Sequence, residues 1–202
     1  MSVMRCAVFI DGAYLEKLLR DEQGGIPIDL EKLSDWLMEK VRRSTVDIPV
    51  AHLRSYYYHA LPWEPHEGAT REERERVQNK RSFFHRIEHL NRFEVRLGRT
   101  QRFFDEACGV YRFEQKGVDV LLSVDMVSLA ARGDIQYAVL LAPDGDFVPA
   151  VKAAKNSGTV IFLGAGESPP PAWELRKECD QYIPLDREAM QKLRRDRSTY
   201  TE

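Results

Sequence analysis

Apolar residues along this chain fall into short runs separated by segments with helical spacing. The first run, Met4 to Ile10, stops at Asp11-Gly12, which predicts a buried strand opening into a helix from Ala13 to Arg20. Gln23 to Pro27 reads as a loop, after which Asp29 is placed to cap a helix with Leu30, Leu33, Trp36, Leu37 and Val41 on one face. Ala51 to Ala60 predicts a second strand, closed by Leu61-Pro62-Trp63-Glu64-Pro65. Thr70 to Leu90 predicts a charged helix whose Val77, Phe83, Phe84, Ile87 and Leu90 face inward. Phe93 to Leu97 alternates like a strand, whereas Arg99 to Gln115 has no clear period and reads as a loop or a hairpin.

The second half repeats the alternation. Val118 to Ala131 is apolar on nearly every side and predicts a helix stopped by Gly133. Residues 137–142 predict a strand, 147–156 a helix and 158–163 another strand. Gly164-Ala165-Gly166 lacks the further glycine spacing of a nucleotide loop and reads as a turn. Pro169-Pro170-Pro171 closes the core, and a final short helix leads into a basic tail, Lys192 to Arg197. Apolar strands alternating with helices predict an α/β fold with a parallel sheet covered on both faces. One domain is expected over 1–185, with a C-terminal helix and tail over 186–202.

Composition narrows the reading in two ways. The net charge of −2 excludes a globally basic nucleic-acid binder, so any such surface must be local. Cys6, Cys108 and Cys179 form no C-x-x-C pair, which argues against a zinc or redox motif and predicts reduced thiols in a cytoplasmic protein. The N-terminal apolar run is interrupted at Asp11, too early for a signal peptide or membrane span, so no membrane association is expected.

The chemistry lies in the carboxylates that end these runs. Asp11 follows the first strand, Asp144 and Asp146 follow the run 137–142, and Asp119 and Asp125 lie within the apolar helix. Open α/β sheets bind ligands at the carboxyl ends of their strands, so neighbouring strands would bring Asp11, Asp144 and Asp146 to one crevice. Packed carboxylates repel one another and call for a cation or a solvent-filled site. All-oxygen donors suit a hard dication, Mg²⁺ or Mn²⁺. Asp119 and Asp125 are six residues apart, about 120° around a helix and about 9 Å along it, so they do not share an ion readily. Asp119 is the better ligand candidate, with Ser123 one turn along, while Asp125 suits a supporting role. Taken singly, each acid has a plainer explanation. Pro143-Asp144-Gly145 also suits a β-turn, Asp146 a helix cap, and Asp119 a helix-start carboxylate.

Three motifs occur in order: Phe9-Ile10-Asp11-Gly12, Lys116-Gly117-Val118-Asp119-Val120 followed by Asp125, and Pro143-Asp144-Gly145-Asp146-Phe147-Val148-Pro149. Over residues 4–166 the chain resembles the NYN domain family, within the PIN-like metal-dependent ribonucleases. The resemblance implies a Rossmann-like three-layer α/β/α sandwich with a central, mainly parallel sheet. It also implies RNA hydrolysis at Asp11, Asp119, Asp144 and Asp146, which would hold Mg²⁺ or Mn²⁺. Tyr14 stands where the family often has Asn, and Ala142 where it commonly has Ser.

Between Arg71 and Arg102, ten Lys and Arg face five Glu, an excess of +5 with Phe83, Phe84, Phe93, Phe103 and Phe104 in or beside the segment. Cations with aromatics can hold single-stranded RNA, although an exposed amphipathic helix shows the same pattern. Lys116, Arg81 and Arg96 are the expected phosphate contacts. Two rival functions are an RNA- or nucleotide-binding module without turnover, and an Asp-x-Asp phosphatase, which would want an acid at Ala13.

Overall fold

The computed structural model describes residues 3–23, 25, 27–45, 48–65, 68–167 and 169–195. Parts of the loop before Pro27, His66 and the tail beyond Arg195 therefore lie outside the described residues. The elements follow in the order β1 (Met4–Asp11), α1 (Gly12–Gln23), α2 (Leu30–Ser44), β2 (Val50–Ala60) and α3 (Arg71–Glu88). Next come β3 (Phe93–Asp105), β4 (Val110–Lys116), α4 (Val118–Ala131), β5 (Tyr137–Leu141), a 3₁₀ turn (Gly145–Phe147) and α5 (Val148–Asn156). β6 (Val160–Ala165), α6 (Trp173–Glu178), β7 (Gln181–Pro184) and α7 (Arg187–Lys192) complete the chain.

Seven strands form one sheet in the order β4-β3-β2-β1-β5-β6-β7, parallel throughout except for the β3–β4 hairpin. β1 is central, pairing with β2 on one side and β5 on the other. Strand order reverses between β1 and β5, the position where open sheets of this kind leave a crevice.

Side-chain alternation sends each strand's apolar residues into two layers. Cys6, Val8 and Ile10 of β1 pack with Leu15 and Leu18 of α1, Leu33 and Leu37 of α2, and Phe84 and Ile87 of α3. Ala7 and Phe9 face the other way, onto Leu122 and Met126 of α4, Val151 of α5 and Leu175 of α6. A segment buried on both faces must be apolar at every position, which is why Cys6 to Ile10 of β1 reads as an unbroken run. α2 starts where expected, with Asp29 Oδ1 accepting the Glu31 and Lys32 N–H groups. Among the described residues no helix is long and apolar enough to cross a membrane.

Several boundaries differ from the sequence reading. Of the two alternatives for Arg99 to Gln115 the hairpin is the one formed, its turn held by Asp105 Oδ1, which accepts the N–H groups of Ala107 and Cys108. Gly164 and Ala165 belong to β6 rather than to a turn, because β6 continues far enough to pair Ala165 with Pro184 of β7. α6 and β7 were not foreseen. α3 ends at Glu88, leaving Leu90 outside it, and Val77 and Phe83 are only partly buried. Phe103 and Phe104 point into solvent.

Candidate functional site

β1 ends on Asp11. Its Oδ1 accepts the N–H groups of Ala13 at 3.0 Å and Tyr14 at 3.1 Å, which caps α1 and leaves Oδ2 for other partners. Gly12 follows at once because the buried Tyr57 ring lies against it, and a Cβ there would fall 2.5 Å from Tyr57 Cζ. β5 runs beside β1 and delivers Asp144 to the same edge. Asp144 precedes the 3₁₀ turn without a side-chain capping bond, and Phe147, not Asp146, is the N-cap of α5. Capping therefore accounts for neither carboxylate. Asp119 arrives from the other direction. Antiparallel β4 brings the chain back to this edge, and Gly117, at φ +81°, turns it into α4 with Asp119 in the first turn.

The acids feel one another. Burial raises the Asp11 carboxyl above its ordinary value and the Asp119 charge adds to this, against the backbone N–H groups of Tyr14 and Ala13. Burial likewise raises Asp119, reinforced by the charges of Asp144 and Asp146. Among the described residues no group of three or more His, Cys, Asp or Glu is placed to hold a metal ion. Mutual repulsion favours such spacing, and one oxygen of Asp11 is already committed to α1.

A cleft of about 260 Å³ opens beside Asp11 and Asp144, walled by Tyr14, Lys17, Asp21 and Pro169. Sequence reasoning missed Lys17 and Asp21. Their signal was present, since residues 14, 17, 18 and 21 share one face of α1 and all four line the cleft.

Asp125 is a tether. Tyr58 Oη donates to its Oδ2 at 2.9 Å, and Arg96 Nε lies 3.7 Å from the same oxygen, tying α4 to β2 and β3. Ser123 is half-buried on α4 between Asp119 and Asp125. The three expected phosphate contacts all have acidic partners: Arg81 pairs with Glu64, Arg96 with Glu94 at 2.6 Å, and Lys116 with Glu114 at 2.7 Å.

Next to Asp11 lies a polar network that the sequence did not reveal. Lys80 of α3 pairs with Glu16 of α1, and buried His59 of β2 sets Nε2 3.4 Å from Glu16 Oε2 without hydrogen-bond alignment. His59 Nδ1 lies against its neighbour's backbone, 2.8 Å from Ala60 N and 3.1 Å from Ala60 O. Burial opposes ionisation of Glu16, but His59 and Lys80 prevail and hold its carboxyl at about 2. The family residue replaced by Tyr14 has no counterpart here: the Tyr14 hydroxyl accepts the Gly166 N–H at 2.9 Å, and Ala142 is fully buried.

The model of the NYN domain family matches residues 5–186. Among solved structures, the chain is similar to a protein of unknown function from Vibrio parahaemolyticus RIMD 2210633. That likeness has a TM-score of 0.63 and 16% identity, covering 92% of this chain and 95% of the other, and it bears on the fold alone. No curated protein matches.

Proposed function

This chain belongs to the NYN domain family, a family of PIN-like nucleases, and from that premise we propose that it hydrolyses RNA phosphodiester bonds in a metal-dependent reaction. What supports the reading is convergence: β1, α4 and the end of β5 bring Asp11, Asp119 and Asp144 to one sheet edge, where burial and neighbouring acid charges together raise Asp11 and Asp119. Isolated turn and cap residues have no reason to converge in this way.

The chemistry of the donors, rather than their spacing among the described residues, suits a hard dication. Asp11, Asp119, Asp144 and Asp146 offer only carboxylate oxygens, which suits Mg²⁺ or Mn²⁺ and disfavours zinc. Bound there, the ion would supply charge neutralisation at the phosphate and a more acidic water. The protein's own part is positional. Asp11 is fixed by α1, Asp119 by the turn at Gly117, and Asp144 by β5 against β1. Asp125 holds α4 in place through Tyr58. Lys17 lines the cleft with Asp11 and Asp144 and so offers a cation to a substrate phosphate there.

The test is cleavage of end-labelled single-stranded RNA with Mg²⁺ or Mn²⁺, comparing wild type with Asp11→Asn and Asp144→Asn. Loss of about 100-fold or more in each variant is expected. Equal activity in all three would sink the proposed centre. A second reading, an RNA-binding module without turnover, is favoured by Ala142 and by the engagement of Tyr14 with Gly166. RNA retention without cleavage would select it.

A further inference from the structure

The β3–β4 hairpin carries aromatic side chains that the core does not use. Phe103, Phe104, Tyr111 and Phe113 are 44%, 51%, 56% and 57% exposed. The last β2–β3 pair is Ala60 with Gly98, so residues 99–105 project past the parallel sheet at its carboxyl edge. That is also the edge where Asp11 and Asp144 lie. A groove of about 530 Å³ runs between the hairpin, the loop after β2 and the start of α3.

The groove's walls are flat and cationic. Phe113 and Trp63, the latter 41% exposed, face each other with ring centres 6.3 Å apart. The Arg102 guanidinium lies 3.8 Å over the Tyr111 ring, and Phe104 meets the same ring edge-on at 5.1 Å. These are cross-strand neighbours, since Arg102 is opposite Phe113 and Phe104 is opposite Tyr111. Arg76 adds a second cation to the lining, and among the described residues neither Arg76 nor Arg102 has a recorded carboxylate partner. The one acid among the described residues of the lining, Glu73, accepts the Thr70 N–H at 2.7 Å in the capping box of α3. Aromatic faces, two arginines and a committed carboxylate suit an anionic polymer that presents flat, unstacked rings.

We propose that this groove is a base-stacking subsite for single-stranded RNA, feeding the strand toward the acidic edge; the inference rests on the RNA-hydrolase reading above. β4 links the two places directly. Phe113 precedes Asp119 by six residues, a separation of at most about 20 Å, which a few nucleotides can span. A duplex hides its base faces and gains nothing from the rings. The acidic edge alone gives no such preference for unpaired RNA.

The test measures anisotropy of a short fluorescein-labelled oligouridylate with wild-type protein in EDTA, alongside the same RNA annealed to its complement. Trp63→Ala combined with Phe113→Ala is expected to weaken single-strand binding by about 10-fold or more while leaving the weaker duplex binding unchanged. Both side chains are substantially exposed, so an unchanged unfolding temperature confirms that the fold is intact. In Mg²⁺ the same variant is expected to raise KM for single-stranded RNA and to keep kcat. Unchanged single-strand affinity and KM in a variant that still cleaves would overturn the groove and spare the acidic centre. Concentration-dependent dimerisation lost in the double variant, with RNA affinity unaltered, would overturn it in favour of a second copy of the chain. A wild type that neither binds nor cleaves RNA would overturn both proposals.

Discussion

Glu16→Gln tests the polar network next to the cleft. Glu16 joins α1 to His59 of β2 and Lys80 of α3, and its carboxyl is held at about 2 against an ordinary 4.5. At about 1.36 kcal/mol per pH unit, that difference sets a ceiling of about 3.4 kcal/mol. The Glu16 side chain is 39% exposed, so solvent screening brings the expected contribution down to about 1.5–2 kcal/mol. Lys80 keeps the faces of Phe83 and Phe84, at 5.4 and 5.3 Å, which limits the loss further. The folded value lies below the unfolded one, so the carboxylate stabilises the fold fully above pH 4.5 and loses this effect as pH falls toward about 2. Urea titrations of wild type and variant at pH 7 should therefore differ by about 1.5–2 kcal/mol, or about 3–8 °C in Tm. At pH 3 the gap should narrow to less than half. A gap of the same size at both pH values would refute the electrostatic argument and leave only lost packing. No gap at pH 7 would show that solvent screens the network completely.

Gly12→Ala places a Cβ against the Tyr57 ring, itself 1% exposed, and should cost about 1–3 kcal/mol in denaturant unfolding. Tyr14→Phe strips the acceptor from the buried Gly166 N–H and should cost about 1–3 kcal/mol, with faster amide exchange at Gly166 as its specific sign. In Asp119→Asn the expected signs are opposite with and without metal. The raised Asp119 pKa means that its charge is penalised in the fold at neutral pH but not well below 3.8, where both states are protonated. Calorimetry at pH 7 in EDTA should thus find the variant more stable than wild type, whereas Mg²⁺ should raise Tm in wild type alone. A variant that gains as much from Mg²⁺ as wild type would remove Asp119 from the ligand set.

The central strands were legible because burial on both faces leaves no choice of residue: Cys6 to Ile10 of β1 and the whole of β5 read as unbroken apolar runs, and the acids that follow them stood out. The hairpin was legible only as one of two alternatives, because β4 is exposed along its whole length and has no buried face to impose alternation. β7 has four residues and buries only Ile183, too little pattern to mark a strand. Gly164 suggested a turn, yet it lies in β6 between Leu141 of β5 and Ile183 of β7, so it continues the sheet rather than reversing the chain. Glu16, His59 and Lys80 come from three separate elements, and nothing local in the sequence announces that they meet. Trp63 was read as loop punctuation because its partner, Phe113, lies on a strand that the pattern did not define.

The place of β1 between β2 and β5 also sets a timetable. β2 follows β1 after α1 and α2, so their pairing closes a much shorter stretch of chain than that of Ile10 with Leu141. Asp11 and Asp119 are both made before β5, but Asp144 and Asp146 have not yet been synthesised when α4 ends. Roughly 70% of the 202 residues must be polymerised before the last acids can reach the edge. The centre is therefore incomplete, and by this reasoning silent, until synthesis has passed Asp146.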